Sequence, residues 1–384
     1  MKKQAFVYST NLLNYKFNNC HPFNPLRLEL SVDLLKTCGA LDDSHIFQPR
    51  KAAEEDLLLI HDPTYIDIVK QSSLPGVDVK KANVYGLGTE DTPIFEGMHD
   101  AALDVVGASL TCVDLVMSGN VDHALNLGGG LHHGIRNRGS GFCIYNDVSI
   151  AIKYLRDHYK MRVLYIDTDA HHGDGVQWAF YDDPNVCTYS IHETGRYLFP
   201  GTGEVEERGN GKGYGYTFNL PVDAFTEDDS WLEIFERSVN DIAAFFGPDI
   251  IVTQHGVDAH LYDPLTHLCL SMKSYQQIPR ILHRLAHKHA NGKWVAVGGG
   301  GYDLWRVVPR AWAMLWMGMT EYQHHSDHLP KSFLNKWKDT SEEKLPENWL
   351  DPVDRYPDIP RKEEITNKNQ IVLRRMLQPI HKLL

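Results

Sequence analysis

Residues 162–175 read RVLYIDTDAHHGDG, an apolar run that leads directly into three carboxylates and two imidazoles. A continuously apolar run of this length indicates a strand that is buried on both faces, as in a parallel sheet covered by helices. Because side chains alternate along a strand, Asp167, Asp169 and His171 are expected to point to one side. Several buried charges require a partner, and a divalent metal ion held by Asp169 and His171 would supply it. Asp174, considered alone, could equally be the N-cap of the next helix.

Similar apolar runs occur along the rest of the chain and alternate with helix-like segments. The predicted strands are Ala5–Tyr8, His123–Leu127, Arg162–Asp167, Val186–Ser190, Gly215–Leu220, Ile250–Thr253 and Trp294–Val297. The predicted helices are Gly97–Met117, Asn146–Tyr159, Gly173–Tyr181, Ser230–Phe246, Tyr275–His289 and Val307–Gly318. This order of elements favours an α/β fold with a central parallel β-sheet and helices on both faces.

The end of this domain is predicted near Thr320. Beyond it the chain becomes polar and is interrupted by prolines, and it finishes in a basic segment, 368–384, that is compatible with a helix. Residues 1–320 are therefore predicted to form one domain. Residues 321–384 are predicted to be a C-terminal extension, packed on the domain or following it, without chemistry of its own.

The composition limits the classes of function. The 384 residues carry a formal net charge of −12, which argues against a nucleic-acid-binding protein because such proteins need a basic surface. The N-terminal residues lack the apolar segment of a secretory signal, and no segment is long enough to cross a bilayer. The six cysteines include no C-x-x-C pair and are predicted to be reduced thiols. A cytoplasmic protein without nucleic-acid or membrane partners is expected.

A second apolar run, residues 249–254, ends shortly before Asp258. Ligands bind at the carboxyl ends of strands in open α/β sheets, so Asp258 is expected to complete a set with Asp169 and His171. Mixed oxygen and nitrogen ligands suit a catalytic Zn²⁺, and Fe²⁺, Mn²⁺ or Co²⁺ are also chemically reasonable. Taken alone, Asp258 would more often be a turn or cap residue.

Two glycine-rich segments also follow predicted strands, at 128–134 and 298–302. Glycines let the backbone approach a ligand closely. The first segment contains His132 and His133, which are general-base candidates, with a second metal site as the lesser alternative. The second segment lacks the lysine and the spacing of a phosphate-binding loop. Its Tyr302 is interpreted as a hydrogen-bond donor to an oxyanion or, alternatively, as a buried structural residue.

Together these motifs resemble the histone deacetylase superfamily, whose members share the arginase-like fold. The resemblance is closest to the class I enzymes and to bacterial acetoin utilisation deacetylases, and it extends from roughly His21 to Trp316. The matching motifs are His21-Pro22 with Arg27, His132-His133, Gly141-Phe142-Cys143, Asp167 to Gly175, Phe199 to Gly203, Gln254 to Asp258 and Gly298 to Tyr302. The resemblance implies a single-domain, metal-dependent hydrolase that removes acetyl groups from lysine side chains.

The resemblance also implies a role for each matching residue. The metal ligands would be Asp169, His171 and Asp258. The catalytic residues would be His132, His133, Tyr302 and the two orienting carboxylates, Asp167 and Asp174. The substrate-binding residues would be Asp91 at the rim, Gly141, Phe142, Phe199 and Leu265 around an acyl-lysine tunnel, and Arg27 beside an acetate cavity. The implied metal is Zn²⁺, with Fe²⁺ as the alternative, and a structural K⁺ near Ser190 is expected by analogy.

Some features depart from the class I pattern. His255 replaces an apolar residue, the segment after the histidine pair differs, and nothing resembles a nuclear localisation tail. These differences favour an acetylated acyl-CoA synthetase over histones as the protein substrate, by analogy with the acetoin utilisation relatives. The alternatives are an acetylpolyamine or other small-amide deacetylase, a ureohydrolase with a second manganese ion, and a non-catalytic acetyl-lysine binder. The oligomeric state is left open.

Overall fold

The structure is a computed structural model that describes residues 3–352, 356 and 358–381. Its strands are β1 Lys3–Val7, β2 Ile46–Phe47, β3 Val121–Asn126, β4 Val163–Asp167, β5 Val186–Glu193, β6 Thr217–Val222, β7 Ile250–Gln254 and β8 Trp294–Val297. Its helices are α1 Leu26–Thr37, α2 Glu54–Leu57, α3 Pro63–Ser72, α4 Val79–Asn83, α5 Met98–Met117, α6 Asp147–Tyr159, α7 Asp174–Ala179, α8 Asp228–Phe246, α9 Met272–His289, α10 Val308–Thr320, α11 Lys331–Trp337 and α12 Lys362–His381.

The strands form one parallel sheet in the order β2-β1-β3-β8-β7-β4-β5-β6. Strands β4 to β8 are buried along their whole length, which explains why most of them read as apolar runs instead of alternating patterns. The helices pack in two groups, one containing α3, α5 and α6 and the other containing α1, α8, α9, α10 and α12. The predicted α/β fold, with a central parallel sheet between helices, is confirmed.

The four central strands end at one level of the sheet. Asn126 of β3 pairs with Val297 of β8, Val297 pairs with Gln254 of β7, and Gln254 pairs with Asp167 of β4. Because these strands are parallel, the loops that follow them all leave from the same edge. The register therefore brings together the four segments in which the sequence concentrates its histidines, carboxylates and glycines.

Caps on the helices explain several boundaries near this edge. The side chain of Asn146 accepts a hydrogen bond from the backbone N–H of Ser149 at 2.8 Å and begins α6. The N-cap of α7 is Gly173, so the alternative interpretation of Asp174 as an N-cap is wrong. Asp174 is instead the first residue of the helix, and its carboxylate is free to point toward the histidine pair.

The residues after 320 pack closely on the rest of the chain. Arg310 of α10 forms a buried ion pair with Asp351 at 2.7 Å, and Trp349 is buried beside it. Helix α12 packs on β6 and α8, and its Asn369 donates to the side chains of Thr226 and Ser230. The described part of the extension thus contributes to the core, while the domain boundary near Thr320 stays a prediction. The last residues of the predicted basic segment, 382–384, lie outside the described residues.

One strand and five helices were not predicted from the sequence. Strand β2 has two residues, too few to show a pattern, and it pairs with β1 at the sheet edge. Helices α1 to α4 and α11 were also not predicted. None of the described helices is both long enough and apolar enough to cross a bilayer.

Candidate active site

Asp169, His171 and Asp258 form a compact group at the carboxyl edge of the sheet, called here the metal-ligand set. Each is buried, and one ligand atom from each lies within 4.8 Å of the others. His171 Nδ1 lies 3.1 Å from Asp169 Oδ1 and 2.9 Å from Asp258 Oδ2. The first two residues follow β4 and the third follows β7, as the sequence predicted from the strand ends.

The two buried carboxylates of the metal-ligand set need a positive charge beside them. Burial and the adjacent Asp169 carboxylate raise the pKa of Asp258 to about 6, so the two carboxylates compete for the ionised state. Although burial disfavours the imidazolium, the neighbouring carboxylates raise the pKa of His171 well above its usual value. A divalent ion would satisfy both carboxylates at once, and two oxygen ligands with one nitrogen ligand fit Zn²⁺ or Fe²⁺. The residues present therefore fit the implied metal.

Backbone and amide groups hold the two carboxylates in position. Asp169 Oδ2 accepts from Gln254 Nε2 and from the backbone N–H of Gly300, both at 2.8 Å. Asp258 Oδ1 accepts from the backbone N–H of Ala170 at 2.8 Å. These hydrogen bonds fix which oxygen of each carboxylate faces the site, as expected for the groups that surround a metal centre.

His132 and His133 lie side by side, and each has its own carboxylate. His132 Nδ1 lies 2.8 Å from Asp167 Oδ2, and His133 Nδ1 lies 2.7 Å from Asp174 Oδ1. The two ring centroids are 4.0 Å apart. A carboxylate on Nδ1 leaves Nε2 of each ring free to exchange a proton, which is the arrangement of an oriented general base.

The two imidazoles differ in their electrostatics. Burial lowers the pKa of His132, but Asp167 and Asp169 outweigh it and raise the pKa to about 9. Burial and the neighbouring His132 lower the pKa of His133 to about 4, in spite of Asp174. Near neutral pH the pair therefore carries one positive charge, on His132. Such a pair can accept a proton at one ring while the other ring stays charged.

Tyr302 follows β8 and is fixed through its backbone. Its N–H donates to Asp263 Oδ2 at 2.8 Å. Burial, followed by the charge of Asp258, raises the pKa of the Tyr302 hydroxyl well above its usual value, so this hydroxyl remains a hydrogen-bond donor. Arg27 Nη1 donates to the carbonyl oxygens of Gly299 at 2.9 Å and Gly301 at 3.1 Å. The predicted cavity residue Arg27 thus supports the loop that carries Tyr302.

Two aromatic rings flank the site at the predicted positions. The Phe142 ring meets the Tyr302 ring edge-on at 5.7 Å, and the Phe199 ring meets the His133 ring edge-on at 5.0 Å. Gly141 lies between His133 and Phe199, where a Cβ atom would come within 2.5 Å of the His133 ring and 3.0 Å of Phe199. Its φ of +51° also favours glycine. A side chain at position 141 would therefore fill the space between the His133 ring and the Phe199 ring.

The predicted rim residues lie near these rings. The backbone oxygen of Asp91 accepts from His21 Nε2 at 3.2 Å, and the His21 ring packs edge-on against Phe142 at 4.6 Å. The Asp91 carboxylate belongs to an exposed residue. The backbone N–H of Leu265 donates to Asp263 Oδ1 at 3.0 Å, so one carboxylate holds both Leu265 and Tyr302.

Two other positions singled out in the sequence lie outside this cluster of catalytic groups. Ser190 Oγ pairs with His192 Nδ1 at 2.8 Å, beside the strand that ends at Asp167. His255 Nε2 pairs with Thr253 Oγ1 at 2.7 Å, and burial lowers the pKa of His255 to about 3. His255 is therefore a neutral residue of the core and not part of the metal-ligand set.

Three buried side chains support the site, although the sequence analysis assigned no function to them. Gln254 contacts Asp169, and Asp263 holds Tyr302. Asp147 accepts the backbone N–H groups of Gly130 and Leu131 and so anchors the loop before the histidine pair. Gln254 lies inside a motif that the sequence did single out, but its partner becomes evident only in three dimensions. Asp147 and Asp263 carry no signal beyond their polarity.

Comparisons with known proteins agree with this geometry. Residues 21–319 match the family model of the histone deacetylase domain. The chain is 55% identical over 380 residues to the acetoin utilization protein AcuC of Bacillus subtilis (strain 168), covering 99% of this chain and 98% of that protein. It is 47% identical over 368 residues to AcuC of Staphylococcus aureus (strain MSSA476), covering 96% of this chain and 95% of that protein.

Solved structures with the same fold include a histone deacetylase homologue from Aquifex aeolicus. The TM-score is 0.84 at 28% sequence identity, with 96% of this chain and 100% of that chain covered. A histone deacetylase homologue in complex with SAHA superposes with a TM-score of 0.85 at 29% identity, with 97% and 100% covered.

Proposed function

Because the chain belongs to the histone deacetylase family, whose members are deacetylases, we propose that it is a metal-dependent hydrolase that removes acetyl groups from the lysine side chains of proteins. The observation that carries this proposal is the histidine pair, in which each imidazole has its own carboxylate beside the metal-ligand set. A protein that only binds acetyl-lysine has no need for two oriented imidazoles at this place. The proposed class is therefore a hydrolase of linear amides.

Asp169, His171 and Asp258 would hold the ion, for which we propose Zn²⁺, with Fe²⁺ as the alternative. Such an ion makes an amide carbonyl more electrophilic and a water molecule more acidic. The donor set supports this assignment, because both carboxylates are buried and mutually repulsive without a cation. A structural K⁺ near Ser190 is also proposed, by analogy with the family.

The histidine pair would move the protons of the reaction. The neutral imidazole accepts a proton from the attacking water, and the pair returns a proton to the lysine amine as the C–N bond breaks. Asp167 and Asp174 keep both rings oriented through Nδ1 and stabilise the imidazolium that forms. The opposite directions of the two pKa shifts support a pair in which one ring is charged and the other is neutral and able to accept the proton.

Tyr302 would donate a hydrogen bond to the oxygen that becomes negative when water adds to the carbonyl. Its raised pKa supports this role because the hydroxyl keeps its proton. The hydrogen bonds from Arg27 and Asp263 to the loop support the position of the ring. A preformed donor of this kind needs no reorganisation when the negative charge develops.

Substrate recognition would depend on flat apolar walls and on one acceptor at the rim. Phe142 and Phe199 would contact the four-carbon stem of acetyl-lysine, and Gly141 leaves room for it. The exposed Asp91 carboxylate would accept a backbone N–H from the substrate, with Leu265 near the mouth. As the partner we propose an acetylated acyl-CoA synthetase in the cytoplasm, by analogy with the acetoin utilisation deacetylases that the sequence resembles.

The experiment compares the rates at which the Zn²⁺-loaded protein hydrolyses three substrates. An acetyl-lysine peptide, an acetylated acyl-CoA synthetase and acetylspermidine are incubated with the wild-type protein and with Tyr302→Phe. We expect hydrolysis of both lysine substrates, a higher kcat/KM for the synthetase, and a large loss in the variant. If acetylspermidine is hydrolysed and both lysine substrates are not, the enzyme is a polyamine deacetylase. If no acetyl group is released from any substrate, the proposed activity is wrong.

A further inference from the structure

A second group of three histidines lies away from the proposed active site. His123 belongs to β3, and His283 and His287 belong to α9. One ring nitrogen of each lies within 4.8 Å of the others. His123 pairs with Trp294, the first residue of β8, so the group lies toward the amino end of the strands. The metal-ligand set follows the carboxyl ends of the same sheet.

The sequence explains why these three side chains meet. His283 and His287 are four residues apart, so they occupy the same face of α9, one turn above the other. Helix α9 leads through a short turn into β8, which pairs with β3. This connection places the last turns of the helix next to the first half of β3, where His123 points toward them.

The rings are arranged edge to face and are not stacked. The centroid of His123 lies 4.9 Å from that of His283 and 5.1 Å from that of His287, both at 78° between ring planes. The centroids of His283 and His287 are 4.5 Å apart at 68°. At such angles the ring nitrogens can converge on one point. In a tetrahedral site with Zn–N bonds of about 2.0–2.1 Å, the nitrogens would be about 3.4 Å apart, so the three rings would draw closer together when an ion binds.

One polar atom in the group needs an explanation. His123 is 1% exposed, and within the described parts of the chain its Nδ1 makes no hydrogen bond of good geometry, with the backbone of Asp122 as its nearest polar group. A buried polar atom without a partner destabilises the fold, and such atoms are rare in folded proteins. The two imidazoles from α9 provide further nitrogens at the same place. A cation shared by the three rings would satisfy them together.

The chemistry of the group selects the kind of ion. Imidazole ligands without a carboxylate favour Zn²⁺, Cu²⁺ or Ni²⁺ over Mg²⁺ or Ca²⁺. Each of the three rings offers a nitrogen, and a neutral imidazole is the form that binds such a metal. His287 is exposed and His283 is partly exposed, which gives an ion access from solvent.

We propose that His123, His283 and His287 form a second metal site that binds one Zn²⁺ ion and ties α9 to the central sheet. Three protein ligands leave one position of a tetrahedral ion for water. In the described part of the chain, no carboxylate is hydrogen-bonded to these three rings in the way that Asp167 and Asp174 are to His132 and His133. Its role is to stabilise the fold, and it takes no part in hydrolysis.

The test is the metal content of the full-length protein after equilibration with Zn²⁺ and desalting, measured by elemental analysis. The variants His283→Gln and His287→Gln each remove one ligand that is not fully buried. His289→Gln is the matched control, since it changes a histidine of the same helix outside the group. We expect each ligand variant to bind one equivalent less than the wild type, and the control to bind the same amount as the wild type.

Asp258→Ala makes the test independent of the proposed active site. In this background the remaining zinc should fall from one equivalent to none when His287→Gln is added. With Co²⁺ in place of zinc, the visible absorption of a tetrahedral site should be lost in the same variant. Equal metal content in the wild type and in both ligand variants, with or without Asp258→Ala, would overturn the proposal. A single His287→Gln variant that folds and deacetylates like the wild type but lacks one equivalent would support it.

Discussion

The two ends of the sheet carry two groups of histidines with opposite surroundings. At the carboxyl end, His132 and His133 each have a carboxylate on Nδ1, and the metal-ligand set contains two further carboxylates. At the amino end, His123, His283 and His287 have one another as neighbours. We infer that the surroundings of an imidazole, more than its presence, decide whether it can do acid–base chemistry.

The two proposed metal sites also differ in their ligands and in the groups next to them. An ion held by two oxygen ligands and one nitrogen ligand would keep open positions for a substrate and a water molecule, and it would polarise both. The histidine pair lies next to it as the proton acceptor. Three imidazoles, without such an acceptor beside them, would hold an ion that only cross-links the chain.

The largest effect is expected for Asp258→Ala. The variant should lose the catalytic metal, and deacetylation should fall to background, because a ligand and a buried negative charge are removed together. Metal analysis and peptide hydrolysis on one preparation measure both. A variant that loses activity but keeps the full wild-type metal content would show that Asp258 is not a ligand.

Tyr302→Phe should reduce kcat by a factor of about 10²–10³, the usual cost of one oxyanion donor. Metal content should be unchanged, because the hydroxyl is not in the metal-ligand set. Steady-state kinetics with circular dichroism as a folding control measures this. A rate close to that of the wild type would remove Tyr302 from the mechanism.

His61 provides a pH test of a histidine without a carboxylate partner. Its Nε2 accepts the backbone N–H of Asn146 at 3.0 Å, and its Nδ1 faces the carbonyl oxygen of Ile135 at 3.1 Å, so it is bound in the neutral form. Burial lowers its pKa to about 4 in the folded protein. Below pH ~6.5 His61 is protonated in the unfolded chain but stays neutral in the folded protein. The free energy of unfolding therefore decreases as the pH falls to ~4.

The loss due to His61 should reach about 3 kcal/mol in the free energy of unfolding, since each pKa unit corresponds to about 1.4 kcal/mol. Urea unfolding at several pH values measures it for the wild type and for His61→Gln. The variant should show a shallower decrease between pH 6.5 and 4. Parallel curves for both proteins would mean that His61 titrates normally in the fold.

Gln254→Leu is expected to have the smallest effect of these substitutions on the site. It removes the 2.8 Å hydrogen bond to Asp169 but none of the ligands. Loss of such a supporting group typically weakens metal binding or activity by about 10–100-fold. Competition with a metal-buffering chelator measures the affinity. An unchanged affinity and rate would show that the backbone N–H groups of Gly300 and His171 are enough to orient Asp169.

Much of this architecture could be predicted from the sequence because strand and helix order carry strong signals. The apolar run before Asp167 is buried along its length, and the residues predicted to meet at the strand ends do meet. The individual catalytic roles stay predictions. The roles of Asp263 and Gln254 could not be predicted, because their hydrogen-bond partners, Tyr302 and Asp169, are distant in sequence.

Other features depend on tertiary packing and could not be predicted. Strand β2 forms because Ile46 and Phe47 lie beside β1, and two residues show no periodicity. Arg27 was assigned to a cavity, and its hydrogen bonds to Gly299 and Gly301 appear only once α1 packs near the glycine loop. The group formed by His123, His283 and His287 is dispersed over more than a hundred residues, so its spacing matches no local metal motif.

The central claim is that the carboxyl end of the sheet is a metal-dependent deacetylase site, and it is tested most directly by removing and restoring the metal. Hydrolysis of an acetyl-lysine peptide is measured for the wild type as purified, after treatment with a chelator, and after addition of Zn²⁺ or Fe²⁺. The account predicts that the chelator abolishes the release of acetate and that one of these metals restores it. Turnover that persists in metal-free protein would contradict it.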